Sequence, residues 1–490
     1  MTDRRRSHRA GGSVPAAALL LLLALPALAA AQATQVDEIR YPLLPAFEIP
    51  RPQRVVLDNG MVVMLLEDHE LPMVEAAALV RAGSRLDPPE KIGLADLAAG
   101  MLRTGGTEAL PSDPLDDWLE SRAAIIEATA DDELARVNLS ALTQDFPEVL
   151  RVFADILRRP AFDPGKLEVA RNQAIASVAR QNDEADDIVT RELKKVVYGS
   201  DSPYARTETY ATLGAIRRDD LIAWHRQGFH PERTVLGVVG DFRTADVLAL
   251  LRAAFGDWPR AEASQPPIPE ATWRRQPSPG VYWAEKQDMN QSAVMIGHLG
   301  VRKDDPDYYA LEILNYVLSG SFSSRLISHV RTQKGLAYSV TGRVGSDWGH
   351  PGMMYLFLST KTQTTGAGIQ ALLDEVRDLQ TSQPATEAEV EKARQGLLNS
   401  FIFNADTPRK VMNQQLSLEV FGYPLDWLSR YRAGLEAVTP AQVRDAALRH
   451  LHPNDFAVVV VGPAEGRDRP LTDFGKVTSL DISIPGKAKK

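Results

Sequence analysis

A chain of 490 residues with 44% hydrophobic and 24% charged residues has the composition of a soluble globular protein, with room for more than one domain. It has no cysteine, which excludes thiol catalysis, thiolate metal sites, disulfides and lipid attachment through a lipobox. A net charge of −9 argues against nucleic acid, whose phosphates call for a basic face.

In chain order, residues 1–31 read as a secretory signal peptide. Arg4, Arg5, Arg6 and Arg9 form a positive start, Val14 to Leu25 is apolar, and small residues follow. Cleavage is expected after Ala29, Ala31 or Ala33, with an uncleaved anchor as the alternative. Removing residues 1–31 takes away four arginines and Asp3, leaving about −12 on the mature chain. Residues 32–52 form an N-terminal arm. A first domain is expected over 53–258. It opens with strands over 54–67, where Asn59-Gly60 signals a hairpin, and 74–82. Apolar residues three and four apart predict a helix over 146–157, and an apolar run predicts a strand over 233–239. Six prolines between Pro259 and Pro279 make 259–280 a stiff linker. A second domain follows over 281–465, closing with a strand over 455–461. The tail 466–490 is weakly patterned, and its Lys-rich end reads as a solvated terminus.

The two domains repeat one another. His230-Pro231 and Gly240 recur as His452-Pro453 and Gly462, 222 residues later. Ala170-Arg171 and Asp183 recur as Ala393-Arg394 and Asp406 at an offset of 223. So long a period means duplicated domains rather than a solenoid. The fold class expected is α+β: two homologous α/β sandwich domains, each a mostly antiparallel sheet with helices on one face.

The segment Gly93-Leu-Ala-Asp-Leu-Ala-Ala-Gly-Met-Leu-Arg-Thr-Gly-Gly-Thr107 resembles the zinc-site helix of the pitrilysin and mitochondrial processing peptidase family. That family carries the inverted zincin motif H-x-x-E-H there. Its positions fall on Asp96, Ala99 and Gly100, so both histidines and the general-base glutamate are missing. Where the resemblance places two later glutamates, one of them a zinc ligand, this chain has Ala170 and Ser177. Zinc takes about three protein donors plus an open position, so these degenerate positions predict no metal on this chain. None of the nine histidines completes a substitute motif, and His230 and His452 share a repeat position that points to a structural role. Asp96 reads as a lone solvated or hydrogen-bonded aspartate. Over Ile126-Glu-Ala-Thr-Ala130, Glu127 stands where the family often has asparagine on its substrate-accepting strand, whose backbone is still able to pair with a peptide.

The second domain keeps the other signature. Leu318-Ser-Gly-Ser-Phe-Ser-Ser-Arg-Leu326 precedes Arg331-Thr-Gln-Lys-Gly-Leu-Ala-Tyr338, which resembles the family's arginine–tyrosine pair. A helix over 323–334, a stop at Gly335 and a strand over 336–344 would bring Arg331 and Tyr338 together. The resemblance implies that this pair acts in a zinc site across a chamber that closes like a clam shell. It also implies substrate contacts at Ala128, Ser319, Gly320 and Phe322. The Ser319-Gly320-Ser321 turn lacks the spacing of a phosphate-binding loop.

These features predict the non-metal-binding subunit of a heterodimeric periplasmic zinc peptidase. Arg331 and Tyr338 would be supplied to a partner of the same family that holds the zinc, for hydrolysis of unfolded peptides. The alternative is a catalytically inactive peptide-binding or scaffolding protein of the envelope. Metal-independent hydrolysis is disfavoured, because no serine, threonine or cysteine site is visible.

Overall fold

The structure is a computed structural model that describes residues 49–262, 279–484 and 486. The expected signal peptide, most of the N-terminal arm, most of the linker and the Lys-rich end lie outside the described residues. Among the described residues no helix is long and apolar enough to cross a membrane.

The first half supplies strands β1 (Gln53–Val56), β2 (Val62–Glu67), β3 (Met73–Val80), β4 (Ile125–Ala130), β5 (Ala135–Leu142) and β6 (Thr234–Gly240). They form a six-stranded sheet in the order β1-β2-β6-β3-β5-β4. The second half supplies β7 (Gly280–Glu285), β8 (Gln291–Leu299), β9 (Val301–Arg302), β10 (Ser339–Arg343), β11 (Ser346–Asp347), β12 (Met353–Lys361), β13 (Ala457–Gly462) and β14 (Val477–Ser479). Its main sheet runs β10-β12-β8-β13-β7-β14, with β9 and β11 paired separately. Both sheets are mostly antiparallel, as expected. The β2–β6, β7–β13 and β7–β14 pairs are parallel.

Local sequence explains these elements. The first hairpin turns at Asn59-Gly60: Gly60 has φ +87°, and Asn59 Oδ1 accepts from the Met61 N–H. Strands β6 and β13 are buried at every residue, which is why they read as unbroken valine-rich runs instead of alternating patterns. Arg171 and Arg394, equivalent in the repeat, do one job twice. Arg171 donates to the Ile216 carbonyl and Arg394 to the Val438 carbonyl, 2.8 and 2.5 Å away. His230 and His452 are also structural: the His230 ring bonds the Arg226 carbonyl, and His452 packs against His298.

The helices that matter for the site are α1 (Leu94–Thr104), α2 (Phe146–Arg158), α3 (Pro164–Arg180), α4 (Ala185–Tyr198), α5 (Tyr308–Ser319), α6 (Glu387–Phe401) and α7 (Pro408–Phe421). Helices α1 and α2 cover one face of the first sheet, around Ile126, Ala128, Val137 and Leu139. Its other face is covered by the second half. Helix α7 sets Met412, Leu416 and Val420 against Met64, Ala77, Leu79 and Val239. In return, α4 of the first half sets Ile188, Val189 and Leu193 against Met295, Phe357, Val459 and Val461 of the second sheet. Gly237 makes the approach of α7 possible, since a Cβ there would lie 2.6 Å from Met412 Sδ. Helices on a single face were expected from sequence. The second layer comes from an exchange between halves, so their joint does not depend on the linker.

The tail also departs from expectation. Leu471 is buried, and β14 extends the second sheet parallel to β7, at the position β1 occupies in the first. Three residues are too few for a periodic signal; β14 is set by its pairing partner.

Each half therefore completes the other's core. Leu193→Ala and Leu416→Ala are each expected to lower stability by about 2–5 kcal/mol, the usual range for a fully buried leucine. Scanning calorimetry should still show one transition for both halves. A half that melts separately would contradict the exchange.

Candidate functional site

Helix α1 keeps the shape of a site helix without its donors. It begins after Gly93, held at φ +98°, and buries Leu94, Ala95, Leu97, Ala98, Ala99, Met101 and Leu102. Asp87 caps it: its two carboxylate oxygens each accept at 3.0 Å, one from the Gly93 N–H and one from the Ala95 N–H. Asp96 points outward from the first turn. Ala99 is fully buried, and a Cβ on Gly100 would meet nothing within 4 Å. On the neighbouring helix α3, Ala170 is half-buried and Ser177 exposed. One carboxylate and one hydroxyl do not make a zinc donor set. Among the described residues, the three-donor group of histidines and acids is Asp305, Asp307 and His450. There Arg449 already clamps both Asp307 oxygens, at 2.7 and 2.8 Å, and His450 bonds one of them at 2.7 Å.

Carboxyl groups have gathered around α1. Desolvation raises Asp96 to about 6, and Asp132 and Asp131 push it the same way. Water reaches the Asp96 side chain, but protein surrounds it on enough sides to weaken its hydration. Burial raises Asp87 to about 7 against the two N–H groups it caps, with Asp96 adding to the rise. Burial also raises Glu208 to about 7, followed by repulsion from Asp96 and Asp87. Asp96 is thus not alone. Sequence reading missed Asp87 and Glu208, because Glu208 approaches α1 only through the fold.

All three carboxyls titrate above their ordinary values. Between about pH 4 and 7 the folded chain keeps protons that the unfolded chain has released, so stability falls as pH rises through that window. Asp96→Asn is expected to leave the melting temperature unchanged at pH 4. At pH 8 it should stabilise by about 0.5–1 kcal/mol, a figure reduced for solvent screening. Equal gains at both pH values would rule out this electrostatic cause.

The second signature is built on a π-type helix, Leu326–Gln333, which buries Leu326 and Val330. It starts later than the expected Ser323, because Ser321 to Ser324 make a turn and Arg325 is pinned. Arg325 forks onto Glu389 at 2.7 Å twice and also donates to the Gln383 and Pro384 carbonyls. Burial opposes ionisation of Glu389, but Arg325 and Thr386 hold it down to about 2. Gly335, at φ +64°, ends the helix, and the Leu336 N–H reaches back to the Val330 carbonyl. The Tyr338 N–H then bonds the Ser359 carbonyl, and β10 begins one residue later.

Arg331 and Tyr338 therefore flank one helix-to-strand turn. Both side chains are exposed, Tyr338 to 79%, and no hydrogen bond or ion pair joins them. Phe322 is 87% exposed. Ser319 ties its turn to β10: its Oγ accepts from the Gly342 N–H at 2.8 Å and lies 3.1 Å from Thr341 Oγ1. Gly320 is required there, since a Cβ would come within 2.5 Å of the Tyr316 ring. Ala128 lies in the other half, its side chain buried in the core, so only its backbone faces the open edge of β4. Glu127 points outward from β4, 3.6 Å from Arg103.

A cavity of about 540 Å³ opens between the halves, a feature that local sequence patterns do not reveal. His350 stacks on Tyr204, with ring centroids 4.2 Å apart. Tyr204 donates to Glu133, which pairs with Arg85 at 2.8 Å. Burial lowers the pKa of His350.

Comparison with known proteins agrees with this geometry. Residues 62–207 match the family model for insulinase, peptidase family M16, and residues 215–397 match the model for the peptidase M16 inactive domain. The chain belongs to peptidase family M16. The non-peptidase homolog YmxG of Helicobacter pylori is 26% identical over 403 residues, covering 81% of this chain and 91% of that protein. The Bacillus subtilis protein named uncharacterized zinc protease YmxG is 24% identical, covering 84% of this chain and 98% of its own length. A solved peptidase M16 inactive domain from Pseudomonas fluorescens superposes with a TM-score of 0.77 at 24% identity, over 85% of this chain and 99% of that one. The periplasmic protease PqqL of Escherichia coli gives 0.72 at 17% identity, over 92% of this chain and 51% of that one. At these identities the solved structures speak for the fold alone. The M16 two-domain α+β fold is thus shared with the solved M16 inactive domain and with PqqL.

Proposed function

We propose that this M16 chain is the non-metal-binding subunit of a heterodimeric zinc peptidase in the bacterial periplasm. One observation carries the reading: the donor positions of α1 and α3 lack histidine and glutamate, while Arg331 and Tyr338 stand exposed, their side chains unpaired among the described residues, at a turn fixed by Arg325 and Gly335. Exposed groups with no partner of their own are available to a second subunit. The zinc and general base would come from a partner of the same family. This chain's part would be electrostatic. As a scissile peptide bond is attacked, negative charge builds on its carbonyl oxygen, and the Arg331 guanidinium and Tyr338 hydroxyl would donate to it. The open edges of β4 and β10 offer backbone hydrogen bonds to an unfolded peptide.

A second reading is a catalytically inactive peptide-binding or scaffolding protein of the envelope. The name of the Helicobacter pylori relative, a non-peptidase homolog, favours it.

The test is purification of the native complex from the periplasm, followed by assay. A stoichiometric partner carrying H-x-x-E-H is expected, with zinc following the partner and not this chain. Arg331→Ala and Tyr338→Phe should each lower turnover of the complex by about 100- to 1,000-fold without changing assembly. Unchanged turnover in both variants would remove the catalytic role. A complex with no zinc-bearing member would favour the scaffolding reading.

A further inference from the structure

The outer face of the first sheet, opposite α1, holds a cavity of about 680 Å³ between β3, β5, β6 and α7. Ala77, Val239 and Met412 give it an apolar lining, and Arg136 stands at the end that adjoins the 540 Å³ cavity. Arg136 projects from β5, opposite Thr129 of the edge strand β4. It is half-buried, and burial lowers its pKa, with Asp131 countering from a distance.

Its neighbours differ from it. Arg409 pairs with Glu75 at 3.1 Å, and Lys410 pairs with Asp406 at 2.9 Å. Arg136 has no carboxylate within ion-pair distance and makes no hydrogen bond among the described residues. A half-desolvated guanidinium without a counter-ion is a strong site for an incoming carboxylate, because its planar fork matches two oxygens. The apolar surface beside it calls for an apolar group attached to that carboxylate. Next to both runs the unpaired edge of β4, whose Ile125 is 59% exposed and lines the same cavity. An anion, an apolar group and an extended backbone occur together at the end of an unfolded polypeptide.

We propose that this cavity is a peptide-binding site separate from the partner-facing turn, and that it takes a chain's C-terminal residue. The terminal carboxylate forks onto Arg136, the last side chain rests on Val239 and Met412, and the preceding residues run along β4. The site shares the β4 edge with the peptidase reading, but its Arg136 fork belongs to this chain alone and needs neither zinc nor a second subunit, so loss of the acid–amide difference and loss of turnover test the two readings separately.

Fluorescence anisotropy with the purified mature chain tests it. The probes are an N-terminally labelled, leucine-ended octapeptide as the free acid and the same peptide as the C-terminal amide. The free acid is expected to bind about 10- to 100-fold more tightly, the worth of a charge-assisted fork. Arg136→Met should erase that difference, and Arg136→Lys should keep part of it. Asn138→Trp, an exposed change that fills the cavity, should weaken both peptides. Melting curves of all three variants verify folding. Equal binding of acid and amide to the wild-type chain would overturn the proposal, as would a preference that survives Arg136→Met. Arg136-dependent binding of laurate without binding of either peptide would reassign the site to a lipid carboxylate and overturn it as well.

Discussion

Everything in this molecule depends on the exchange of α4 and α7. Each sheet has two apolar faces, and each half has helices enough to cover only one. Helix α7 closes the open face of the first sheet, and α4 closes that of the second. These are equivalent elements of the repeat, so one packing solution is used twice. The hydrophobic gain is shared by both halves, which is why neither is expected to stand alone. The exchange also fixes the cavities, because both lie where one half's helix meets the other half's sheet.

On this frame two surfaces have diverged. Around α1 stand a capping aspartate and two further carboxyls that repel one another. Burial, and after it charge repulsion, holds the protons on Asp87, Asp96 and Glu208 up to about pH 6–7. Around Gly335, Arg325 and Glu389 lock the turn, and the Arg331 and Tyr338 side chains stand exposed beside it, with no ion pair or side-chain hydrogen bond among the described residues. A side chain that carries no part of the core is free to serve something outside it.

Much of this was legible in the sequence, and what was legible was local. Asn59-Gly60 marks a hairpin because only certain residues adopt its backbone angles. Phe146 to Leu157 reads as a helix because its apolar residues fall on one face. The recurrence of His-Pro and Gly at a fixed offset is enough to reveal the duplication. The boundaries were less clear. The helix that carries Arg331 begins three residues later than its pattern suggests, because the Ser321–Ser324 turn and the Arg325–Glu389 pair intervene. Strand β14 gave no pattern at all.

The sequence by itself determined which chemistry is available: no cysteine, no histidine or glutamate at Asp96, Ala99, Gly100 and Ser177, and an arginine and tyrosine seven residues apart. Side-chain identity is a property of the chain, so its absences need no coordinates. Only the tertiary structure decided which groups meet. It brought Glu208 to α1, left Arg136 without a paired carboxylate among the described residues, and laid α4 and α7 on sheets of the opposite half. Periodicity tells which face of a helix is apolar, but nothing in it names the surface that will cover that face. Ionisation likewise follows neighbours in space, and those are distant in sequence.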